Sequence, residues 1–370
     1  MVKNGMRLDG FRVYLALALC CVTGACKVQI DVPTSGFVTT ESGAHDCAGG
    51  ERCTLNISDV HFDETFVAEP LSGFVFTGWK KKEGSLCPYS TSPCRLVTNG
   101  FDEFDVLMAF LDDPEATFYL EPGFRSTGFN ALFIGHSFFR PFAEGMPEHA
   151  ANVGIEQHSQ SVVFAGGANG APEALWNNPA KSAEIKALLD AGDIDLFVMT
   201  YHPDYPSFTG YRLWIDYALE QNPGIRIAFA LPWTTFPESY DPATYETEWE
   251  SFRVGQWHQG VDRARANYPD TDIFSIPYGR AAIELRNLLA SGELDDVEAL
   301  TSRTGEAIFR DELGHADQIL VDLGRLVWLR AIYDIDLLAY DHDPGYQTDL
   351  KSIAQQIMDR HEEQYDAAYR

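Results

Sequence analysis

From residue 129 onward, short apolar runs alternate with amphipathic stretches, and this alternation restricts the fold more than any other feature of the sequence. The runs have the length of buried strands, and buried strands that alternate with helices form βαβ units around a parallel sheet. The sequence therefore predicts a three-layer α/β/α domain. Its strands are predicted at 131–135, 161–165, 195–200, 226–231 and 272–276. Its helices are predicted at about 140–152, 180–190, 210–221, 247–267 and 279–291.

The first third of the chain has a different pattern. All seven cysteines precede residue 95. Between about residues 27 and 124, alternating segments such as 28–32 and 65–68 are separated by Gly and Pro, which is typical of strands and turns. We therefore predict a small all-β module at 26–125, ahead of the α/β domain.

The N-terminal residues resemble a bacterial export signal. Basic residues precede the apolar run 13–19, which is too short to span a membrane. The segment 22–26, Val-Thr-Gly-Ala-Cys, resembles a lipobox. The resemblance implies that residues 1–25 are a signal peptide, that Cys26 carries lipid and, because Lys27 follows, that the anchor lies in the outer membrane. Plain cleavage nearby, which would leave a periplasmic or extracellular protein, is the alternative.

Four cysteines remain after this processing, Cys47, Cys53, Cys87 and Cys94. Exported proteins oxidise such thiols, so we expect two disulfides. The pairs Cys47–Cys53 and Cys87–Cys94 are favoured because each brackets a short segment containing Gly, Ser or Pro. Both spacings exceed those of zinc knuckles, and we expect no metal there.

One segment of the β module resembles a known repeat. Residues 66–79 include the phrase Gly-Phe-Val-Phe-Thr-Gly-Trp, which is similar to the divergent internalin-type B-repeat of bacterial surface proteins. The resemblance implies presentation or adhesion. Packing within the module's own core is the simpler role for Phe74, Phe76 and Trp79, and we favour it.

The charge balance excludes two classes of partner. The chain has 27 basic and 55 acidic residues, a net charge of -28. A polyanion of this size repels phosphate backbones and anionic bilayers. We therefore expect no nucleic acid partner, and membrane contact only through the lipid anchor.

The first strand of the α/β domain is followed by Gly135-His136-Ser137, which puts a hydroxyl at a strand-to-helix turn. A helix N-terminus at such a turn can stabilise an oxyanion. The nucleophile elbow of α/β-hydrolases does not fit, because Phe139 stands where it needs a second glycine. The block resembles instead the first block of the GDSL/SGNH hydrolases, with His136 as the middle residue. This implies a flavodoxin-like sheet over residues 126–340 and Ser137 as nucleophile.

The last block of that family is an acid and a histidine three residues apart, before a final helix. Here Asp311 lies four residues before His315 and Glu312 lies three before it. The resemblance implies that His315 is the base and that one of the two carboxylates orients it. We favour Asp311, because an extra residue at Gly314 is easily absorbed in a loop.

The resemblance also implies oxyanion donors at the ends of neighbouring strands. The backbone N–H of Ser137 and that of Gly167, in the glycine loop after the second strand, take two positions. The family has an Asn after the third strand, where this chain has none. His202 and Asn169 are the candidates for that role.

These features predict a secreted or lipid-anchored serine esterase that needs no cofactor. Acylated carbohydrate, or another small ester, is the expected substrate by analogy with secreted members of the family. Trp233 and Trp176 follow predicted strands and are candidates for stacking on a sugar ring. A non-catalytic glycan-binding protein on the same fold is the alternative.

The C-terminal residues complete the prediction. A metal-dependent hydrolase would need clustered ligands, and Asp341-His-Asp343 is interpreted as a solvated turn instead. Residues 341–370 are expected to form an amphipathic helix, capped by Thr348, that packs on the α/β domain.

Overall fold

The computed structural model describes residues 26–58, 60–71 and 73–367. The predicted signal peptide, residues 1–25, lies outside these ranges. None of the helices within them is long and apolar enough to cross a membrane.

The N-terminal region consists of short strands arranged in three small sheets. The sheet orders are β3-β1-β7, β2-β4-β6 and β5-β8. The strands are β1 (Cys26–Asp31), β2 (Gly36–Thr40), β3 (Arg52–Ile57), β4 (Asp63–Pro70), β5 (Phe74–Trp79), β6 (Cys94–Val97), β7 (Thr117–Leu120) and β8 (Pro122–Ser126). One helix, α1 (Asp105–Leu111), interrupts them. The expectation of strands and turns alone is therefore wrong at this point.

Two disulfides hold this region together. Cys47 is bonded to Cys53 and Cys87 to Cys94, which confirms the predicted pairing. They border a small apolar core of Val28, Ile30, Val38, Phe66, Trp79 and Leu120.

The cysteine predicted to carry lipid is part of the same core. The Cys26 side chain is 5% exposed, and its thiol contacts the carbonyl oxygen of Ile57 at 3.5 Å. A lipid on this sulfur would require the first residue of β1 to turn outward.

The α/β region is built on one five-stranded sheet in which every strand pair is parallel. The strands are β9 (Asn130–Gly135), β10 (Ser159–Phe164), β11 (Leu196–Thr200), β12 (Arg226–Ala230) and β13 (Ile273–Ile276). Their order is β10-β9-β11-β12-β13, the flavodoxin-like order. Strand β10 lies on one side of β9, and β11, β12 and β13 lie on the other side, so the strand order switches between β9 and β11. A crevice is expected at the carboxyl ends of these two strands.

Helices cover both faces of the sheet, which confirms the three-layer architecture. Helices α2 (Arg140–Asn152), α8 (Arg280–Ser291), α9 (Gln318–Tyr333) and α10 (Leu350–Asp359) pack on one another in one layer. Helices α3 (Pro172–Asn177), α4 (Pro179–Leu189) and α5 (Thr209–Gln221) form the other. Two further helices, α6 (Pro242–Phe252) and α7 (Gln259–Asn267), and a small parallel pair, β14 (Ala299–Thr301) and β15 (Ala307–Phe309), complete the region.

Two details correct the sequence-based expectations. The helix predicted at 247–267 is α6 and α7 joined by a π-helical turn, Arg253–His258. Helix α10 is capped by Asp349, whose carboxylate accepts the N–H of Ser352 at 3.0 Å, and not by Thr348.

Candidate active site

Three side chains from distant parts of the sequence form one hydrogen-bonded row at the carboxyl edge of the sheet. The Nε2 atom of His315 lies 2.8 Å from the Oγ atom of Ser137. The Nδ1 atom of the same ring lies 2.7 Å from Oδ2 of Asp311. A carboxylate only accepts, so Nδ1 carries the proton and Nε2 is free to accept one from the serine hydroxyl.

The turn that holds Ser137 is determined by close packing of two strand ends. A Cβ atom on Gly135 would come within 2.7 Å of the Thr200 side chain and 2.6 Å of the Phe139 ring. Only glycine fits there, so β9 and β11 approach closely just before the serine. The N–H of Phe139 then bonds the carbonyl of His136 at 3.1 Å, and helix α2 begins one residue later.

His136 joins the ends of β9 and β11. Its Nε2–H donates to the carbonyl of Tyr201 at 2.7 Å, and its Nδ1 accepts the N–H of Phe138 at 3.3 Å. Burial lowers the pKa of this ring to about 4, more than the bond to Tyr201 raises it. The imidazole is therefore neutral at neutral pH, as its two hydrogen bonds require.

The loop before α9 brings Asp311, and not Glu312, to the histidine. Gly314 has a φ of 97°, which turns the chain back on itself. The Oδ1 atom of Asp311 accepts the N–H groups of Gly314 and His315, each at 3.1 Å. Burial alone would raise the pKa of Asp311, but these bonds and the His315 ring hold it below its usual value. Glu312 is exposed, and no hydrogen bond joins it to His315 among the described residues.

Two of the candidate oxyanion donors, Ser137 and Gly167, line the same cavity. Gly167 has a φ of 55°. Within the described ranges, the backbone N–H groups of these two residues bond no backbone carbonyl. Asn169 is exposed and lies outside the cavity wall, so it is not brought to this position.

His202 lies in the same wall. Its ring packs edge-on against that of His136, with 5.1 Å between the centroids. Its Nδ1 accepts the N–H of Asp204 at 3.2 Å, which leaves Nε2–H available as a donor. Burial lowers its pKa, so the ring is neutral at neutral pH.

The cavity in front of Ser137 has a volume of about 480 Å³. Its apolar lining comes from Phe138, Leu231, Trp233, Phe236, Trp249, Phe252 and Leu313. Polar groups in the wall include Asp204, Thr234, Thr235, Tyr240 and Glu248. A mixed lining of rings, hydroxyls and carboxylates suits a ligand with both apolar and hydroxyl-bearing parts.

No family model matches the chain, and no curated protein matches it. Solved structures do match it, and three of them, all at low identity, are described here. A DUF4886 family protein from Bacteroides uniformis is 15% identical, with 65% of this chain and 93% of that chain covered and a TM-score of 0.40. The periplasmic domain of a lipopolysaccharide acetyltransferase from Salmonella ser. Paratyphi A is 14% identical, with coverages of 55% and 83% and a TM-score of 0.33. A protein from Parabacteroides merdae described as a GDSL-like lipase is 11% identical, with coverages of 55% and 94% and a TM-score of 0.35. Because all three TM-scores are below 0.5, we assign the fold from this chain's own strand order. The site is assigned from this chain's own residues.

In the part of the chain that the structure describes, neither predicted sugar-stacking tryptophan presents an exposed ring to the cavity in front of Ser137, so that prediction gains no support. Trp233 is 3% exposed and stacks on Phe138, with 5.0 Å between the ring centroids. Trp176 lies outside the cavity wall, and the Nζ atom of Lys186 covers its ring at 3.9 Å.

Trp233 has a different role. Its Nε1–H donates to the carbonyl of Gly314 at 2.7 Å, while its ring packs beside the turn that carries Ser137. It therefore holds the serine turn and the Asp311–His315 loop at a constant separation. A tryptophan after a strand end can turn inward or outward, and the sequence pattern does not distinguish the two.

The rim of the cavity contains two exposed apolar residues that the sequence pattern did not single out. Phe236 is 53% exposed, and Leu313 is 39% exposed. Phe236 adopts the left-handed conformation, with a φ of 54°, and its N–H bonds the carbonyl of Leu313 at 3.1 Å. Non-glycine residues in this conformation are strained and are concentrated at functional sites.

Proposed function

We propose that this protein is a serine esterase of the SGNH type that acts on acylated carbohydrate. The observation that carries the proposal is the hydrogen-bonded row from Ser137 through His315 to Asp311, which has the order and the distances that nucleophilic catalysis needs. The position of Ser137 at a strand-to-helix turn and the place of Gly167 in the wall of the same cavity support it.

The first half of the reaction forms an acyl-enzyme. The Oγ atom of Ser137 attacks the ester carbonyl carbon while Nε2 of His315 takes the hydroxyl proton. The carbonyl oxygen becomes an oxyanion, which accepts hydrogen bonds from the N–H groups of Ser137 and Gly167 and from Nε2–H of His202. The intermediate then breaks its bond to the alkoxy oxygen, His315 returns the proton to that oxygen, and the alcohol leaves.

The second half restores the enzyme. Water gives a proton to His315 and attacks the acyl carbon, and the new tetrahedral intermediate expels Oγ of Ser137. The serine regains its proton from His315, and the carboxylic acid is released. Asp311 stays ionised throughout. In that form it stabilises the imidazolium and keeps Nδ1 protonated.

The cavity supports carbohydrate as the alcohol part of the substrate. Asp204 and Glu248 are acceptors for sugar hydroxyls, and the hydroxyls of Thr234 and Thr235 can both donate and accept. The two disulfides in the N-terminal region support export to an oxidising compartment.

The test replaces the nucleophile. Ser137→Ala should reduce kcat for p-nitrophenyl acetate by about 10⁴-fold or more, because alanine removes the attacking oxygen with little change in volume. The circular dichroism spectrum should not change. Ser159→Ala is the matched control, since Ser159 is exposed and lies at the amino end of β10. Full activity in Ser137→Ala would mean that Ser137 is not the nucleophile. Absence of hydrolysis by the wild-type protein, with binding of an acetylated glycan, would favour the non-catalytic glycan-binding alternative.

A further inference from the structure

A second cavity lies beside the catalytic one, on the other side of Tyr201. It has a volume of about 240 Å³, enough for one sugar ring. Its wall is formed by the segment that leads into α5 and by the π-helical turn, Arg253–His258. Single π turns within α-helices occur frequently at functional sites.

Two residues of this cavity wall carry a buried polar group for which the described part of the chain supplies no hydrogen-bond partner. Tyr211 is 7% exposed and Trp257 is 4% exposed. Within the described residues, neither the hydroxyl of Tyr211 nor Nε1–H of Trp257 makes a hydrogen bond. A buried donor without an acceptor costs free energy, so native proteins almost always supply one. A ligand with oxygen acceptors would supply both.

The rest of the wall indicates what kind of ligand fits. The rings of Phe208 and Tyr211 stack on one another, with 5.9 Å between the centroids, and present apolar surface. Gln256, Gln259 and Arg263 add hydrogen-bond donors. An alkyl chain could use the rings but could not satisfy the donors. A sugar ring has an apolar face and acceptor hydroxyls, and so matches both.

Tyr201 connects the two cavities, since its side chain lines each of them. Its hydroxyl donates to Oε1 of Gln256 on the π turn, and its main-chain carbonyl accepts the Nε2–H of His136. A glycan that lies across Tyr201 would therefore contact both cavities, with its acylated ring near Ser137.

We propose that the second cavity binds a neighbouring sugar unit of the same glycan whose acyl group is cleaved at Ser137. The esterase would then prefer acylated oligosaccharides to acylated monosaccharides. This inference rests on the proposed function, and it adds a subsite that recognises the glycan beyond the acylated ring.

The experiment compares substrates of increasing length. We would measure kcat/KM for acetylated β-1,4-xylo- and gluco-oligosaccharides from one to four units, with p-nitrophenyl acetate as a substrate that is too small to reach the subsite. The trisaccharide should exceed the monosaccharide by about tenfold in at least one series, which corresponds to one hydrogen bond in a buried site. Tyr211→Phe should reduce that ratio to about one, mainly by raising KM for the trisaccharide.

The controls separate the subsite from the fold and from catalysis. Tyr217→Phe removes a hydroxyl from the same helix, but one that is bonded to Asp190 outside the cavity, and should leave the length preference intact. Tyr211→Phe should fold normally because the hydroxyl it removes has no hydrogen-bond partner among the residues that the structure describes. If the wild-type protein hydrolyses p-nitrophenyl acetate but shows no length preference, or if Tyr211→Phe retains the preference, the cavity holds only water and the subsite is wrong. Absence of hydrolysis with every substrate would instead contradict the proposed esterase activity.

Discussion

The N-terminal β region and the α/β region are stabilised in different ways. The β region divides its strands among three small sheets, buries one small cluster, and joins it with two disulfides. The α/β region has no cysteine and buries a far larger cluster between its layers. Small cores supply little free energy of burial, so covalent links compensate where the sheets are small and are unnecessary where the sheet is large.

The difference also concerns function. The candidate site lies entirely in the disulfide-free region, where hydrogen bonds donated by His136 and Trp233 and accepted by Asp311 hold the loops in place. Changes in the α/β region should therefore alter catalysis, whereas changes in the β region should alter only stability.

The largest effect is expected within the α/β region, at Asp311, the carboxylate that we propose orients the base. Asp311→Asn should lower kcat for p-nitrophenyl acetate by about 10⁴-fold, because an amide can present its N–H to Nδ1 and favour the wrong tautomer of His315. Glu312→Gln is the matched control next to it and should change kcat by less than about twofold. A deep loss in Glu312→Gln, with a shallow one in Asp311→Asn, would reverse the assignment.

Acid should destabilise the α/β region before the β region. Burial lowers the pKa values of His136, His149 and His361 to about 4, below the value of about 6.5 expected when the chain is unfolded. Between these values the unfolded chain binds protons that the folded chain does not, so the free energy of unfolding decreases as the pH falls from 6.5 to 4. Each group contributes about 1.4 kcal/mol per pH unit.

In the β region, burial would raise the pKa of Glu121, but Lys80 and Lys82 hold it below its usual value. The stabilisation from this ionised carboxylate is lost only as the pH falls through the range in which carboxyl groups take up protons. That range lies below the one in which the three histidines act. Urea unfolding between pH 7 and 4, monitored by tryptophan fluorescence, tests whether acid destabilises the α/β region first. Fluorescence reports mainly on that region, since six of the seven tryptophans lie after residue 95. A midpoint that stays constant from pH 7 to pH 5 would contradict it.

The smallest effect on activity is expected from the disulfides. Replacing Cys87 and Cys94 by serine should lower the free energy of unfolding of the β region by about 2 kcal/mol, since the link closes a short loop. The value of kcat/KM for p-nitrophenyl acetate should remain within about twofold of the wild type. Thermal unfolding and steady-state kinetics on the same preparation would measure both, and a severe loss of activity with the fold intact would mean that the β region helps to form the site.

Much of the α/β fold was predictable, because strands and helices have different hydrophobic periodicities in the sequence. The carboxyl ends of parallel strands also lie at one edge of the sheet. Ser137 and His315 were singled out by their resemblance to the first and last blocks of the SGNH hydrolases, and not by periodicity. Asp311 was favoured over Glu312 only on the argument that a loop absorbs an extra residue, since the choice depends on the left-handed turn at Gly314. The sequence pattern did not predict the ring direction of Trp233, which is decided by packing against Phe138.

The β region was less predictable. Alternation identifies a strand but does not specify its partner, and β1 pairs both with β3 and with the distant β7, in opposite directions. Helix α1 begins after Phe104, where no side chain of the described residues caps it, so the usual helix start signal is missing. The disulfides were predictable because short spacing in the sequence restricts the pairing.

The π-helical turn between α6 and α7 has a consequence for how this protein can evolve. A π turn contains one more residue than an α turn, so it corresponds to the insertion of a single codon into a continuous helix. Deleting that residue would rotate one flank of the helix by about 100° relative to the other and carry Trp257 away from Tyr201. By this reasoning, the cavity beside the candidate active site would be gained or lost by a single mutational step that leaves the strands before Ser137 unchanged.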